Sequence, residues 1–243
     1  MRTIVVLGTG TDVGKTYTAE KLATFLTNQF PHPVLAVKPI ESGVHSSSRT
    51  DAERLAAVSR PVCVPAHAYA FEPPISPHLA ARRVGVEIRP DEVVRWLTDV
   101  SQRHATTESQ HGTKWTIVET AGGVFSPISE TKTNFDLACA LEPSCWVLVA
   151  SDGLGVLHNV RSTLLAMASI GRSPDIVLLN ASPSRDGSTG TNREELERLG
   201  WARVSASIGR DGGFSADDIP ELLAKLRRRF EPVTAQVGPV SRS

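Results

Sequence analysis

The sequence predicts an α/β fold: a mostly parallel sheet flanked by helices on both faces. Three observations predict it. Short continuous apolar runs, such as Val34-Leu35-Ala36-Val37 and Cys145-Trp146-Val147-Leu148-Val149-Ala150, suit strands covered on both faces. Segments with helical spacing separate these runs, and strand–helix alternation builds a parallel sheet. A glycine-rich turn directly follows the first run, and open parallel sheets bind ligands at the carboxyl ends of their strands.

In chain order, Thr3-Ile4-Val5-Val6-Leu7 leads into Gly8-Thr9-Gly10-Thr11-Asp12-Val13-Gly14-Lys15-Thr16 and then a helix. Strand, phosphate loop and helix give a P-loop NTPase-like start. Glycines let backbone N–H groups close on phosphate oxygens, Lys15 adds charge, and the Thr16 hydroxyl suits Mg²⁺. The Walker A spacing asks for glycine at position 9, whereas Thr9 is flanked by Gly8 and Gly10. Leu22, Phe25 and Leu26 keep helical spacing until Phe30-Pro31-His32-Pro33 stops it, predicting a helix over 14–28. The next strand, Val34-Leu35-Ala36-Val37, delivers Lys38-Pro39-Ile40-Glu41-Ser42-Gly43 beside the phosphate loop. Thr50, with Glu53 three residues on, predicts a capping box. The box accounts for Glu53 but not for Asp51, and a carboxylate facing the nucleotide is the open alternative.

Ser76-Pro77 predicts a further helix start, Ser76 as cap and Pro77 first. His78 in that first turn is either a ligand contact or a surface histidine. Val93, Val94, Leu97 and Val100 predict an amphipathic helix, followed by a polar loop over 106–114. Trp115-Thr116-Ile117-Val118 is the next strand and delivers Glu119-Thr120-Ala121-Gly122-Gly123, which reads either as a metal or phosphate contact or as a tight turn with a solvated glutamate. The run from Cys145 leads through Gly153-Leu154-Gly155 to a helix with Val160, Leu164, Leu165 and Met167. Asp175-Ile176-Val177-Leu178-Leu179 ends in Asn180; a mobile loop over 182–192, a helix over 193–199, a strand near 202–206 and a helix over 217–229 follow. One domain over 1–231 with a loose tail over 232–243 is expected.

Lysine plus arginine equals aspartate plus glutamate at 26 each, so no charge excess recommends nucleic acid or an anionic membrane as partner. Small-molecule substrates fit better. The three cysteines lack a Cys-x-x-Cys pair, which argues against a disulfide framework or structural zinc and for a reducing cytoplasm. The N-terminal apolar run is too short for a signal peptide, and no span approaches the roughly 20 apolar residues of a membrane helix.

As a set, these motifs resemble the dethiobiotin synthetase family. The family's loop, Gly-Thr-x-Thr-x-Val-Gly-Lys-Thr, is matched from Gly8 to Thr16, and its Lys-Pro-x-x-Ser-Gly is matched from Lys38 to Gly43. Asp51, the Ser-Pro-His of Ser76 to His78, the Glu-x-Ala-Gly-Gly of Glu119 to Gly123, and Asn180 follow in the same order. The resemblance spans about residues 1–180. It implies conversion of 7,8-diaminononanoate, CO₂ and MgATP to dethiobiotin, ADP and phosphate, by a homodimer. It implies catalytic roles for Lys15, Lys38 and Thr11, and Mg²⁺ ligation by Thr16, Asp51 and Glu119. Nucleotide contacts would come from Asp12, Val13, Gly14, Lys15, Thr16, Tyr17, Asp51, Glu119, Thr120, Ala121, Gly122 and Asn180. Ser42, Gly155, His158 and Asn159 would contact the diamine.

The chain departs from the family at Thr120, where glycine is commoner, and at His158-Asn159, where the usual order is Asn-His. Which of His158 and Asn159 reads the substrate's carboxylate tail is therefore open. Two other readings suit the residues less well. Related amidases of cobalamin synthesis carry a glutamine-hydrolysing domain, for which the roughly 60 residues after Asn180 are too few. Partitioning or positioning ATPases carry an extra lysine early in the loop, and Gly8-Thr9-Gly10 has none.

Overall fold

Alternation within the first strand sets the architecture. β1 (Arg2–Gly8) turns Ile4 and Val6 to one face of a sheet and Val5 and Leu7 to the other, and all four are fully buried. Only a central strand covered on both faces needs apolar residues at every position. β1 pairs in parallel with β5 (Trp115–Gly123) on one side and β6 (Cys145–Asp152) on the other. With β2 (Val34–Val37), β7 (Ile176–Ala181) and β8 (Ala206–Ile208), the order is β2-β5-β1-β6-β7-β8, parallel throughout. The chain's direction of travel across the sheet reverses about β1, which opens a crevice at its carboxyl end. The computed structural model describes residues 2–45, 47, 49–105, 115–182, 184–209 and 212–230; the loop expected over 106–114 and the tail expected over 232–243 lie outside these.

Helices cover both faces, as expected. α1 (Lys15–Gln29), α8 (Ile219–Phe230) and Leu55 of α2 (Asp51–Val58) pack on the face of Ile4 and Val6. Leu22 and Leu26 of α1 are fully buried there, each worth roughly 1.5–3 kcal/mol of transfer free energy. The opposite face carries α3 (Pro77–Arg83), α4 (Pro90–Ala105), α5 (Asn134–Ala140) and Met167 of α6 (Val156–Ser169). At the far edge, Leu196 of α7 (Asn192–Arg198) packs with Val156, Val160 and Leu179.

Several elements differ from the sequence expectation. Ile40–Ser42, given no element of its own by the sequence, is strand β3, paired in parallel with β4 (Tyr69–Phe71) in a second, two-stranded sheet. Three residues are too few to show a period. β5 runs past Val118 to Gly123, so Glu119 lies within the strand and the solvated turn is excluded. The last strand begins at Ala206 because Trp201, Ala202 and Val204 fill the edge core between α6 and α7 instead. Ser76 stands at the N-cap of α3, yet its hydroxyl pairs with His78 Nδ1 at 2.8 Å rather than capping the helix. Within the loop expected over 182–192, the part from Asp186 to Asn192 is tied by hydrogen bonds. Asp186 accepts from the N–H groups of Leu154 and Ser188, both at 2.8 Å, and Asp152 accepts from Gly190 N–H at 2.9 Å and Asn192 Nδ2 at 2.7 Å.

Candidate active site

The phosphate loop owes its glycines to space as well as to torsion. Gly14 caps α1 at φ 85°, and a Cβ there would lie 1.6 Å from Asn180 Nδ2. Gly8 leaves β1 where a Cβ would meet Gly10 O at 2.8 Å and Val13 Cγ2 at 2.9 Å, which gives the unusual spacing a steric reason. Lys15 Nζ donates to Gly10 O at 3.0 Å, holding the ammonium across the loop. Burial lowers the Lys15 pKa, with Glu119 opposing the shift and Lys38 adding to it. Asp12 takes a left-handed φ of 57°.

The ends of β1, β2 and β5 bring one charge cluster together against this loop. Lys38 Nζ donates to Asp51 Oδ2 at 2.5 Å and lies 3.0 Å from Glu119 Oε1, which also accepts from Thr16 Oγ1 at 2.8 Å. Burial alone would lower the Lys38 pKa, but Glu119 and Asp51 raise it above the ordinary lysine value. The ammonium stays charged. Burial pushes the Glu119 carboxyl up while Lys38 draws it back. For Asp51, burial acts against the charge, and Lys38 more than compensates, with the Thr16 hydroxyl assisting. Arg54 braces Asp51 from outside at 3.4 Å and is itself held by Glu20 at 2.8 Å.

These residues fit a magnesium ion. Glu119 is almost fully buried, and its Oε2 has no hydrogen-bond partner among the described residues. A hard cation is what an orphaned carboxylate oxygen beside a hydroxyl and a second carboxylate accepts.

The remaining expected residues divide. Asn180 ends β7 with Nδ2 donating to Val13 O at 3.4 Å and Oδ1 buried without a partner among the described residues, an acceptor left over for a ligand. Gly122, at φ 84°, packs on Ser126, whose Oγ would lie 2.9 Å from a Cβ there, with Thr11 Oγ1 of the loop at 3.8 Å. Ala121 O accepts from Asn134 Nδ2. The Thr120 hydroxyl donates to Val6 O at 3.2 Å inside the sheet. The Tyr17 ring sits under Lys21 Nζ, and its hydroxyl lies 2.6 Å from where a Gly212 Cβ would be. Ser42 Oγ is buried with no partner among the described residues. Gly155, at φ 93°, and the exposed His158 and Asn159 form the first turn of α6 and do not join the Lys38 network.

Sequence reasoning missed Glu41 and His67. Glu41, 6 % exposed, accepts from Asp51 N–H at 2.7 Å and Ala52 N–H at 3.1 Å and meets His67 Nε2 at 2.8 Å. No local pattern marked either residue, since β3 is too short to show a period.

The chain matches the model of the AAA domain family over residues 2–213. Its structure is similar to a ParA family ATPase from Chlorobium tepidum, with a TM-score of 0.50 and 14 % identity over 92 % of this chain and 88 % of that one. It is likewise similar to the signal recognition particle receptor FtsY of Elizabethkingia anophelis, with a TM-score of 0.51 and 18 % identity over 92 % and 64 %. Likeness this distant speaks for the nucleotide-binding fold alone. The sequence relatives are more specific. The ATP-dependent dethiobiotin synthetase BioD of Anaeromyxobacter dehalogenans is 34 % identical over 82 % of this chain and 86 % of its own length. The protein of the same name from Corynebacterium glutamicum is 32 % identical over 87 % and 91 %. With several relatives of one name aligned over most of both lengths, the chain belongs to the ATP-dependent dethiobiotin synthetase family.

Proposed function

We propose that the chain makes dethiobiotin from 7,8-diaminononanoate, CO₂ and ATP, and that it does so through the cluster of Lys15, Thr16, Lys38, Asp51 and Glu119. The observation that carries this reading is the convergence of Lys38 and two carboxylates on the phosphate loop. One amine of the substrate attacks CO₂ and loses a proton, giving a carbamate. A carbamate oxygen takes the γ-phosphoryl group and ADP leaves. The second amine then attacks the carbonyl carbon, phosphate departs, and loss of a second proton leaves the cyclic urea.

Each residue answers a physical demand of that sequence. Charge on the transferred phosphoryl oxygens is best met by fixed cations in a dry site, and Lys15 and Lys38 are both buried and tethered. Lys38 also suits the carbamate anion, and the unpartnered Ser42 hydroxyl on β3 suits a donor to it. Thr16, Asp51 and Glu119 would hold Mg²⁺, which supplies charge neutralisation on the phosphate chain. Thr11 and the N–H groups from Asp12 to Tyr17 would line the phosphates, and Ala121 and Gly122 would close on them from β5. Asn180 would read the base with its spare Oδ1.

We further infer a homodimer in which Gly155, His158 and Asn159 hold the substrate carboxylate in the partner's site. Free N–H groups at the start of α6 favour an anion. We place the reaction in the cytoplasm, a reducing compartment that suits the free thiols Cys63 and Cys139. Incubation with diaminononanoate, bicarbonate and MgATP should yield dethiobiotin by mass, with ADP released in equal amount. Folded protein that hydrolyses ATP without forming the ureido product would sink the reading.

A further inference from the structure

We propose that Glu41, with His67 behind it, is a positioning residue that sets the Asp51 carboxylate for magnesium. The inference rests on the assignment of Asp51 to the metal. Asp51 is the first residue of α2, and its side chain is directed to Lys38. Its backbone is directed by Glu41: one carboxylate oxygen accepts from Asp51 N–H at 2.7 Å, the other from Ala52 N–H at 3.1 Å while meeting His67 Nε2 at 2.8 Å.

The helix does not need this contact to begin. Thr50 and Glu53 already form a complete capping box at the same end. A buried carboxylate is costly unless paired, so its use at an end already capped points to a second purpose. Position supplies that purpose. Glu41 follows Lys38 by three residues on the segment running into β3, so one short stretch fixes both the ammonium and, through Asp51 N–H, the backbone carrying its partner carboxylate. The Lys38–Asp51 pair thereby becomes one side of a closed ring of contacts. Groups that orient a metal ligand typically change metal affinity by about 10–100-fold when lost, and a contact made through the ligand's backbone belongs at the lower end.

The test is calorimetric ADP binding across a magnesium series and in EDTA, with thermal melts alongside. Glu41→Gln should raise the magnesium concentration for half-maximal enhancement about tenfold and leave ADP affinity in EDTA unchanged. Glu41→Asp keeps the charge but is one methylene short, and it should behave like Glu41→Gln. His67→Gln should shift the same quantity in the same direction by less, and it decides the matter if the Glu41 variants do not fold. Thr50→Ala breaks the cap at the same helix end; it should lower Tm and leave magnesium half-saturation within about twofold. If Glu41→Asp keeps wild-type magnesium dependence, the residue supplies charge and not position. Should Glu41→Gln lower Tm as Thr50→Ala does without moving magnesium dependence, Glu41 is a second cap only. Asp51→Asn separates the two levels of the argument. Unchanged magnesium dependence in that variant removes the metal assignment and this inference together, whereas a shift in Asp51→Asn with none in the Glu41 or His67 variants overturns this inference alone.

Discussion

Lys38 and Lys15 are both buried cations within reach of Glu119, yet their surroundings assign them different work. Lys38 is locked between Asp51 and Glu119, and those carboxylates hold its charge. Lys15 spans the phosphate loop to Gly10 O with its pKa lowered. Removing a cation fixed where transition-state charge develops costs on the order of 10²-fold or more in rate. Lys38→Ala should therefore cut single-turnover dethiobiotin formation by about 10²-fold while weakening ATP binding less, and Lys15→Ala should weaken ATP binding more. Near-normal turnover in Lys38→Ala, in protein with a wild-type melt, would refute the mechanism. In the sequence, Thr16 was legible from the Gly-Lys-Thr ending, whereas Asp51 and Glu119 each kept an alternative reading and were assigned to the metal only by the family resemblance. Glu41 was not legible, because its contacts cross ten residues and two elements that no local pattern joins.

At the level of elements, the loop that ends β1 is fitted to the end of β7, and the loop that ends β6 is fastened to the loop that follows β7. Gly14 is the first fastening. A methyl group there collides with Asn180 and forces a non-glycine residue to φ 85°, a conformation costing about 1–3 kcal/mol by itself. Gly14→Ala should lower the urea midpoint and abolish measurable nucleotide binding; retention of wild-type ADP affinity would show the loop relaxes in a way this geometry does not allow. Asp186 is the second. Hydrogen bonds from the Ser188 side chain, Leu154 N–H and Ser188 N–H lower its pKa from 3.8 to about 2. The folded carboxyl thus binds its proton less readily than the unfolded one. Its contribution is complete above about 4 and disappears as pH falls through about 2. Asp186→Asn should be less stable than wild type at pH 7, and the difference in urea midpoint should narrow steadily below pH 4. A gap that stays constant down to pH 3 would deny the carboxylate its role in holding the turn that carries Gly155, His158 and Asn159.

For the whole molecule, the exposed first turn of α6 is the part a single chain leaves unexplained. In the proposed homodimer it serves the partner's site, so Lys15→Ala and a bulky Gly155→Trp variant are defective in complementary halves. Mixed under subunit exchange, they should recover toward about a quarter of wild-type activity, since half the dimers then carry one intact site. Gel filtration showing monomer only, or exchange without recovery, would place the carboxylate tail within one chain.

The sequence by itself determined the strands β1, β2, β5, β6 and β7, because each is an apolar run buried on both faces whose local pattern suffices to mark it. It also determined the phosphate loop and the Thr50 cap of α2, both written in consecutive residues. The β3–β4 pair, the extension of β5 through Glu119 and the turning of the Thr120 hydroxyl into the sheet were decided only by tertiary structure. So was the grip of Glu41 on Asp51. Short strands have too few residues for a period, and a buried polar group takes whichever partner the folded chain brings near. The preference for some partner belongs to the residue; its identity belongs to the fold.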